Sequence, residues 1–334
     1  MDMILVLEWV IKSIVIILFG VIGFAYTTYY ERRAIARIQT RIGPNRAGPA
    51  GLLQPVADAI KLIFNEELIP AKADKFLFLL APVLTVLPSL IIWAVIPWGT
   101  SITIAGREIP LYLADINVGA LYLMAVASIA VYGIVIAGWS SNSKYPLLGS
   151  LRSTAQIISY ELSLGLAFVG PILIANSMSM VSIVEKQQET AWFVFLQPLG
   201  FVIFFLAVLA EINRAPFDMP EAEQELVGGY HTEYSGMKFA LFFMAEYIKM
   251  IAVSAIAATL FLGGYSGPWV ESIPWLGPIY LLLKIIILLF VIIWIRATLP
   301  RFRYDRLMAF GWKIMLPLAL INVFLTAVVI VLLQ

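Results

Sequence analysis

Hydrophobic and polar positions along this chain are segregated into long blocks rather than short periods. Eight blocks reach the roughly 20 mainly apolar residues that a helix needs to cross a bilayer. They fall at about Trp9–Tyr30, Phe76–Trp98, Asp115–Trp139, Thr154–Ala175, Ala191–Leu209, Phe239–Leu262, Leu276–Thr298 and Lys313–Leu333. The pattern predicts an all-α, polytopic integral membrane protein with about eight transmembrane helices, formed by residues 1–334 as a single membrane domain. The first block lacks a basic leader and a small-residue cleavage site, so it reads as a retained helix.

The connections differ in charge. The first holds Arg32, Arg33, Arg37, Arg41, Arg46, Lys61, Lys72 and Lys75, and the third, fifth and seventh also carry lysine or arginine. The second and fourth contain only Arg107 and Lys186, and the sixth contains none. By the positive-inside rule the odd connections face the cytoplasm. Within the first, Leu52, Leu53, Val56, Ala59, Ile60, Ile63 and Phe64 recur at helical spacing, with Asp58, Lys61 and Asn65 on the opposite side. That spacing predicts an amphipathic helix in the first cytoplasmic loop, lying on the bilayer or under a soluble partner. Pro55 near its first turn is compatible with this start.

Composition narrows the chemistry. The chain is 61% hydrophobic and 13% charged with a net charge of +1, so nothing in its bulk electrostatics favours nucleic acid. It has no cysteine and one histidine, His231. Fe–S clusters, thiolate catalysis and a histidine metal site are therefore not expected in this chain, and no redox or metal centre is assigned to it. His231 reads as a hydrogen-bonded structural residue.

Charge instead concentrates in one connection, LAEINRAPFDMPEAEQELVGGYHTEY (209–234), which carries Glu211, Asp218, Glu221, Glu223, Glu225 and Glu233 with Arg214 as the only cationic side chain. Two readings stand. Closely spaced carboxylates share protons, or an acidic surface docks a partner. Inside the spans, Glu161 and Glu246 each lie seven residues from the expected start, at matching depth. An intramembrane carboxylate is a functional candidate by default. For Glu246 a pair with Lys249, three residues on, is the structural alternative. Lys284 can pair with either acid or line a pathway, and Lys12 is expected to snorkel to the surface.

Four stretches, ERRAIARIQTRIGPNRAGPAGLLQPVADAIKLIFNEE (31–67), LLGSLRSTAQIISYELSLGL (147–166), LAEINRAPFDMPEAEQELVGGYHTEYSGMKFALFFMAEY (209–247) and IRATLPRFRYDRLMAFGWKIMLPLAL (295–320), resemble the H subunit of respiratory complex I, NADH:quinone oxidoreductase. The resemblance runs from the first span to the last. It implies a subunit without its own redox centre in a proton-translocating enzyme, anchoring the peripheral arm and forming much of a quinone tunnel. On this resemblance the tunnel residues are Glu31, Arg32, Arg41, Arg214, Phe217, Asp218, Arg296 and Arg301. The proton path comprises Glu161, Glu211, Glu221, Glu223, Glu225, Glu233 and Glu246. Quinone is then the substrate, and FMN and Fe–S clusters belong to hydrophilic partner subunits. The remaining partners are other membrane-arm subunits and lipids, and the location is a bacterial inner membrane rather than an organellar one. A related anchor subunit of a membrane-bound hydrogenase or ferredoxin-linked complex is the alternative. Asn65 and Arg306 depart from the residues common in the family, lysine and glutamine.

Overall fold

The computed structural model describes residues 3–104, 106–218 and 228–333. Helix α1 (Met3–Ile38) continues well past the expected end of the first span, so Glu31, Arg32, Arg33 and Arg37 stand on helix rather than loop. The amphipathic helix α2 (Gln54–Phe64) follows, with Pro55 in its first turn. Its apolar side, including Val56, Ile60, Ile63 and Phe64, is exposed. Past its end, Lys238 Nζ holds Glu67 at 2.7 Å, and the Ser235 hydroxyl donates to the Glu66 carbonyl. A lysine at position 65 is thus not needed to anchor this end.

Helix α3 (Lys75–Ile91) starts at an Asp74 cap and contains Pro82 and Pro88. A hairpin of β1 (Ser101–Ile104) and β2 (Arg107–Pro110) leads to α4 (Gly119–Ser140) and α5 (Lys144–Ala175). The hairpin turns at Gly106, whose φ of 81° belongs to the left-handed region that glycine tolerates. The next connection contains helix α6 (Met180–Glu189).

The fifth expected span is shorter than its apolar run. A single turn, α7 (Phe193–Leu196), breaks at Gln197, and Pro198 opens α8 (Pro198–Glu211). At 1.5 Å per residue α8 is roughly 21 Å long, against a hydrocarbon layer of about 30 Å. Seven helices among the described residues are long and apolar enough to cross a membrane, with α8 as an eighth, shorter apolar helix. The rest are α9 (Gly236–Phe261), α10 (Leu276–Thr298), α11 (Tyr304–Phe310) and α12 (Leu316–Leu333).

Helix α9 is the centre of the bundle. Every residue from Met250 to Phe261 is buried, as expected for a helix that is apolar all round. It packs on α3, α10 and α1, while α5 packs on α4, α8 and α12. The starts of α3 and α9 meet the end of α4 in a cluster of Phe78, Ala81, Ala137, Tyr234 and Phe242. Tyr234 stacks on Phe78 at 4.0 Å and donates its hydroxyl to the Phe78 carbonyl. Helices α3 and α9 therefore run parallel, and both start at the end of the bundle that carries the basic connections. Helix α1 is peripheral, with Leu7, Val10, Ile14 and Val15 exposed on a face suited to lipid.

Candidate functional site

The site is assembled where α8 ends. Gln156, fully buried on α5, donates through Nε2 to the carbonyls of Ala210 and Phe217 at 2.8 and 2.7 Å. One side chain thus ties the final turn of α8 and the following loop onto α5. The loop buries Arg214, Phe217 and Asp218. Phe217 sits among the rings of Tyr160, Phe302 and Phe310 at 5.7, 5.8 and 6.5 Å. Asp218 accepts from Arg301 at 3.0 Å.

From this loop a chain of alternating charges crosses to α1. Arg214 Nε lies 2.6 Å from Glu246 on α9, and its Nη1 lies 3.5 Å from Glu31 on α1. Glu31 also accepts from Arg296 at the end of α10, and from the Tyr247 hydroxyl at 2.6 Å. The Arg214 guanidinium stands 4.5 Å over the Tyr247 ring, a cation–π contact. Glu31 and Arg214 are 4% and 3% exposed, so each charge depends on the others for compensation. Five of the tunnel residues implied by the resemblance are thereby brought into two linked clusters, Glu31–Arg214–Arg296 and Asp218–Arg301, with Phe217 beside them. Two are not. Arg32 pairs with Asp58 of α2 at 2.6 Å, and Arg41 is exposed and donates to Gln39.

The acids fall differently from their expected arrangement. Glu246 does not pair with Lys249. Their i,i+3 spacing permits that contact, but Arg214 occupies the carboxylate, and Lys249 Nζ reaches Glu211 across the helix interface at 3.0 Å. Glu161 accepts from Ser128 of α4. Its helix begins at Lys144, well before the expected boundary at Thr154, and α9 begins at Gly236. At about 1.5 Å per residue, Glu161 stands roughly 26 Å along α5, whereas Glu246 stands roughly 15 Å along α9. Glu233 is half-buried, and Glu221, Glu223 and Glu225 lie outside the described residues.

Two other cations are placed away from these acids. Lys284 donates to three backbone carbonyls, those of Leu262, Gly264 and Ser266, at 2.7, 2.7 and 2.8 Å. Lys12 pairs with Glu8 one turn away at 2.5 Å instead of reaching solvent alone. His231 packs edge-on against Tyr230 and Phe239, and burial pulls its pKa down to about 4.

Glu211, Glu246 and Lys249 open into a cavity with an empty volume of ≈ 460 Å³, lined further by Thr85, Asn213 and Tyr230. Such a space offers paired acids and hydroxyls to water and protons. A charge change at Glu31 would be felt at Glu246 through Arg214, because the intervening medium is of low dielectric. Sequence reasoning missed Tyr247, Ser128 and Gln156. Gln156 carried a signal, as a polar amide within an apolar run.

The family model described as NADH dehydrogenase matches residues 11–327. The first of two NADH-quinone oxidoreductase H subunits of Geobacter sulfurreducens is 52% identical, covering 99% of this chain and 97% of its own length. The NADH-quinone oxidoreductase H subunit of Thermomicrobium roseum is 52% identical over 91% of each chain. That of Rickettsia bellii is 52% identical, covering 96% of this chain and 93% of its own length. All three relatives are bacterial. An all-helical membrane bundle with buried ion pairs and such relatives over nearly its full length belongs to the H-subunit family of NADH-quinone oxidoreductase, as a membrane subunit of that multi-subunit enzyme complex.

Proposed function

We propose that this subunit forms one wall of a quinone site and passes the charge change of quinone reduction into the membrane. The observation that carries the reading is the position of Arg214. It contacts Glu31, which also binds Arg296, and it contacts Glu246, which lines the cavity beside Glu211. Quinone is the substrate, entering between the Glu31–Arg296 and Asp218–Arg301 clusters. Two electrons delivered to a quinone call for two protons. The transient negative charge attracts Arg214 or Arg296, so that compensation of Glu246 and of its cavity changes with the redox state. Glu161, Glu211, Glu233 and Glu246, with Glu221, Glu223 and Glu225, serve the proton path on this reading.

The chain has no cysteine. The Fe–S clusters are therefore assigned to hydrophilic partner subunits, which dock on the basic end and the exposed face of α2, and the family resemblance assigns FMN to them as well. The location is a bacterial inner membrane, with neighbouring membrane-arm subunits alongside. The names of the relatives favour quinone over the hydrogenase-type alternative.

The test is photolabelling of the purified complex with an azido-quinone. Adducts on this chain near residues 31, 214–218 and 296–301, suppressed by excess unlabelled quinone, are expected. Competed adducts confined to other subunits would overturn the assignment of the wall to this chain.

A further inference from the structure

A second cavity, with an empty volume of ≈ 340 Å³, lies beyond the first. Along each segment that lines both, its residues are displaced away from the basic end: Ile92, just past the end of α3, against Thr85 within it, Leu123 against Ile134 on α4, Phe168 against Ile157 on α5. The same order holds on α9, where Val253 lines the far cavity and Ala245 the near one. Among the described residues two line both, Glu211 and Lys249. Apart from that pair, every side chain lining the far cavity among the described residues is apolar.

The pair is well built for a boundary. Lys249 Nζ lies 3.0 Å from the Glu211 carboxylate and donates to the Glu211 carbonyl at 3.3 Å. It thereby caps the end of α8, where carbonyls lack partners within the helix. The two side chains are 12% and 3% exposed. Ser128, the partner of Glu161, falls between Ala127 of the far cavity and Ala130 of the near one, so a second polar contact stands at the same level. An ion pair held across the neck of a pore fills it and fixes its own donors and acceptors, and an apolar chamber beyond it resists wetting.

We infer that the Glu211–Lys249 pair is the closure between a hydrated cavity at the basic end and a dry apolar cavity, with Lys249 as the residue that stops water and cations there. The inference rests on the proton-path reading only for its purpose; the closure itself is tested without turnover.

The chain's lack of cysteine makes accessibility measurable in the intact complex. Ala245→Cys and Val253→Cys place thiols in the near and far cavities, at positions of similar exposure, 6% and 5%. The probe is a cationic methanethiosulfonate reagent added to sealed vesicles from the basic side, with modification read as the mass of this chain. Ala245→Cys is expected to react at least tenfold faster than Val253→Cys. Adding Lys249→Met should bring Val253→Cys to within a few-fold of Ala245→Cys, whereas Lys249→Arg should not. Equal rates with Lys249 in place, or no reaction at Ala245→Cys, overturn the closure. So does a Val253→Cys that stays protected in assembled Lys249→Met. If Lys249→Met fails to assemble, the comparison of the two thiols with Lys249 present still decides. Loss of the proton-path reading, by normal pumping in Glu161→Gln, would leave these rates unchanged.

Discussion

Arg296, in the last turn of α10, donates to the carboxylate of Glu31 on α1. The contact joins helices that are remote in sequence, and it is half open, since the Arg296 side chain is 30% exposed while that of Glu31 is 5% exposed. A guanidinium at the end of an apolar span is stable there because a carboxylate and a polar opening receive it. Arg296→Ala leaves Glu31 with Arg214 and Tyr247 and should not unfold the bundle. Quinone-reductase activity is expected to fall roughly tenfold or more, the effect of about 1.4 kcal/mol. Reduction of a hydrophilic artificial acceptor by the upstream centres should hardly change. Assaying both activities in assembled complex checks this, and equal loss of both would remove Arg296 from the quinone site.

Lys284 makes a different use of a buried charge. Its ammonium meets three carbonyls of the turn after α9 and lies 4.9 Å over the Trp192 ring. The turn itself depends on Gly263 and Gly264, with φ of 74° and 50°. Lys284→Met preserves length and removes every donor, stranding three carbonyls. A loss of roughly 3 kcal/mol or more is expected from hydrogen bonds to a charged group. Lys284→Arg should fail as well, because a planar fork does not fill a compact three-carbonyl cage. Thermal dissociation of the purified complex measures both, and wild-type midpoints would contradict the staple.

His231 gives a pH dependence with a defined sign. Its folded pKa of about 4 lies below the ordinary 6.5, so between these values the unfolded chain binds more protons than the folded one. Stability is therefore complete above pH 6.5 and is lost as pH falls toward 4. His231→Gln removes this contribution. Unfolding midpoints of wild type and variant should move together above pH 6.5, with the wild type dropping more steeply below it. Parallel curves down to pH 4 would show that the imidazole keeps its ordinary pKa.

Much of this was legible in the sequence because membrane burial writes long apolar blocks, and charge in such blocks is costly enough to be noticed. The long helices and the amphipathic α2 follow from local pattern alone. What failed was pairing. Glu246 and Lys249 share a helix face, and local spacing favours their contact, but Arg214 from the loop after α8 and Glu211 from the end of α8 compete for each. No period in the chain encodes that competition. The shortened α8 was hidden for a related reason: Gln197 and Pro198 interrupt a run whose mean hydropathy stays high. Lys284 looked like a partner for an acid, whereas backbone carbonyls, invisible to composition, hold it.

Glu161 offers the sharpest test of the proton path. It stands on α5 with the Ser128 hydroxyl as donor, at the level where the two cavities divide. Its function, if it relays protons, requires the carboxyl group to gain and lose one. Glutamine keeps the size and can still accept from Ser128 through its amide oxygen, but it cannot ionise. Glu161→Gln should therefore assemble normally while coupled turnover falls roughly tenfold or more, within the range that a lost proton-transfer group produces. Glu161→Asp retains the titrating group with a shorter reach and should recover part of the activity. Ser128→Ala removes only the orienting hydroxyl and should cost less than Glu161→Gln. The measurements are assembly by native gel, then NADH:quinone activity and membrane potential in sealed vesicles, with potentials compared at matched oxidation rates. Full potential in assembled Glu161→Gln would exclude Glu161 from the path, and the cavity beside Glu246 would then need another outlet.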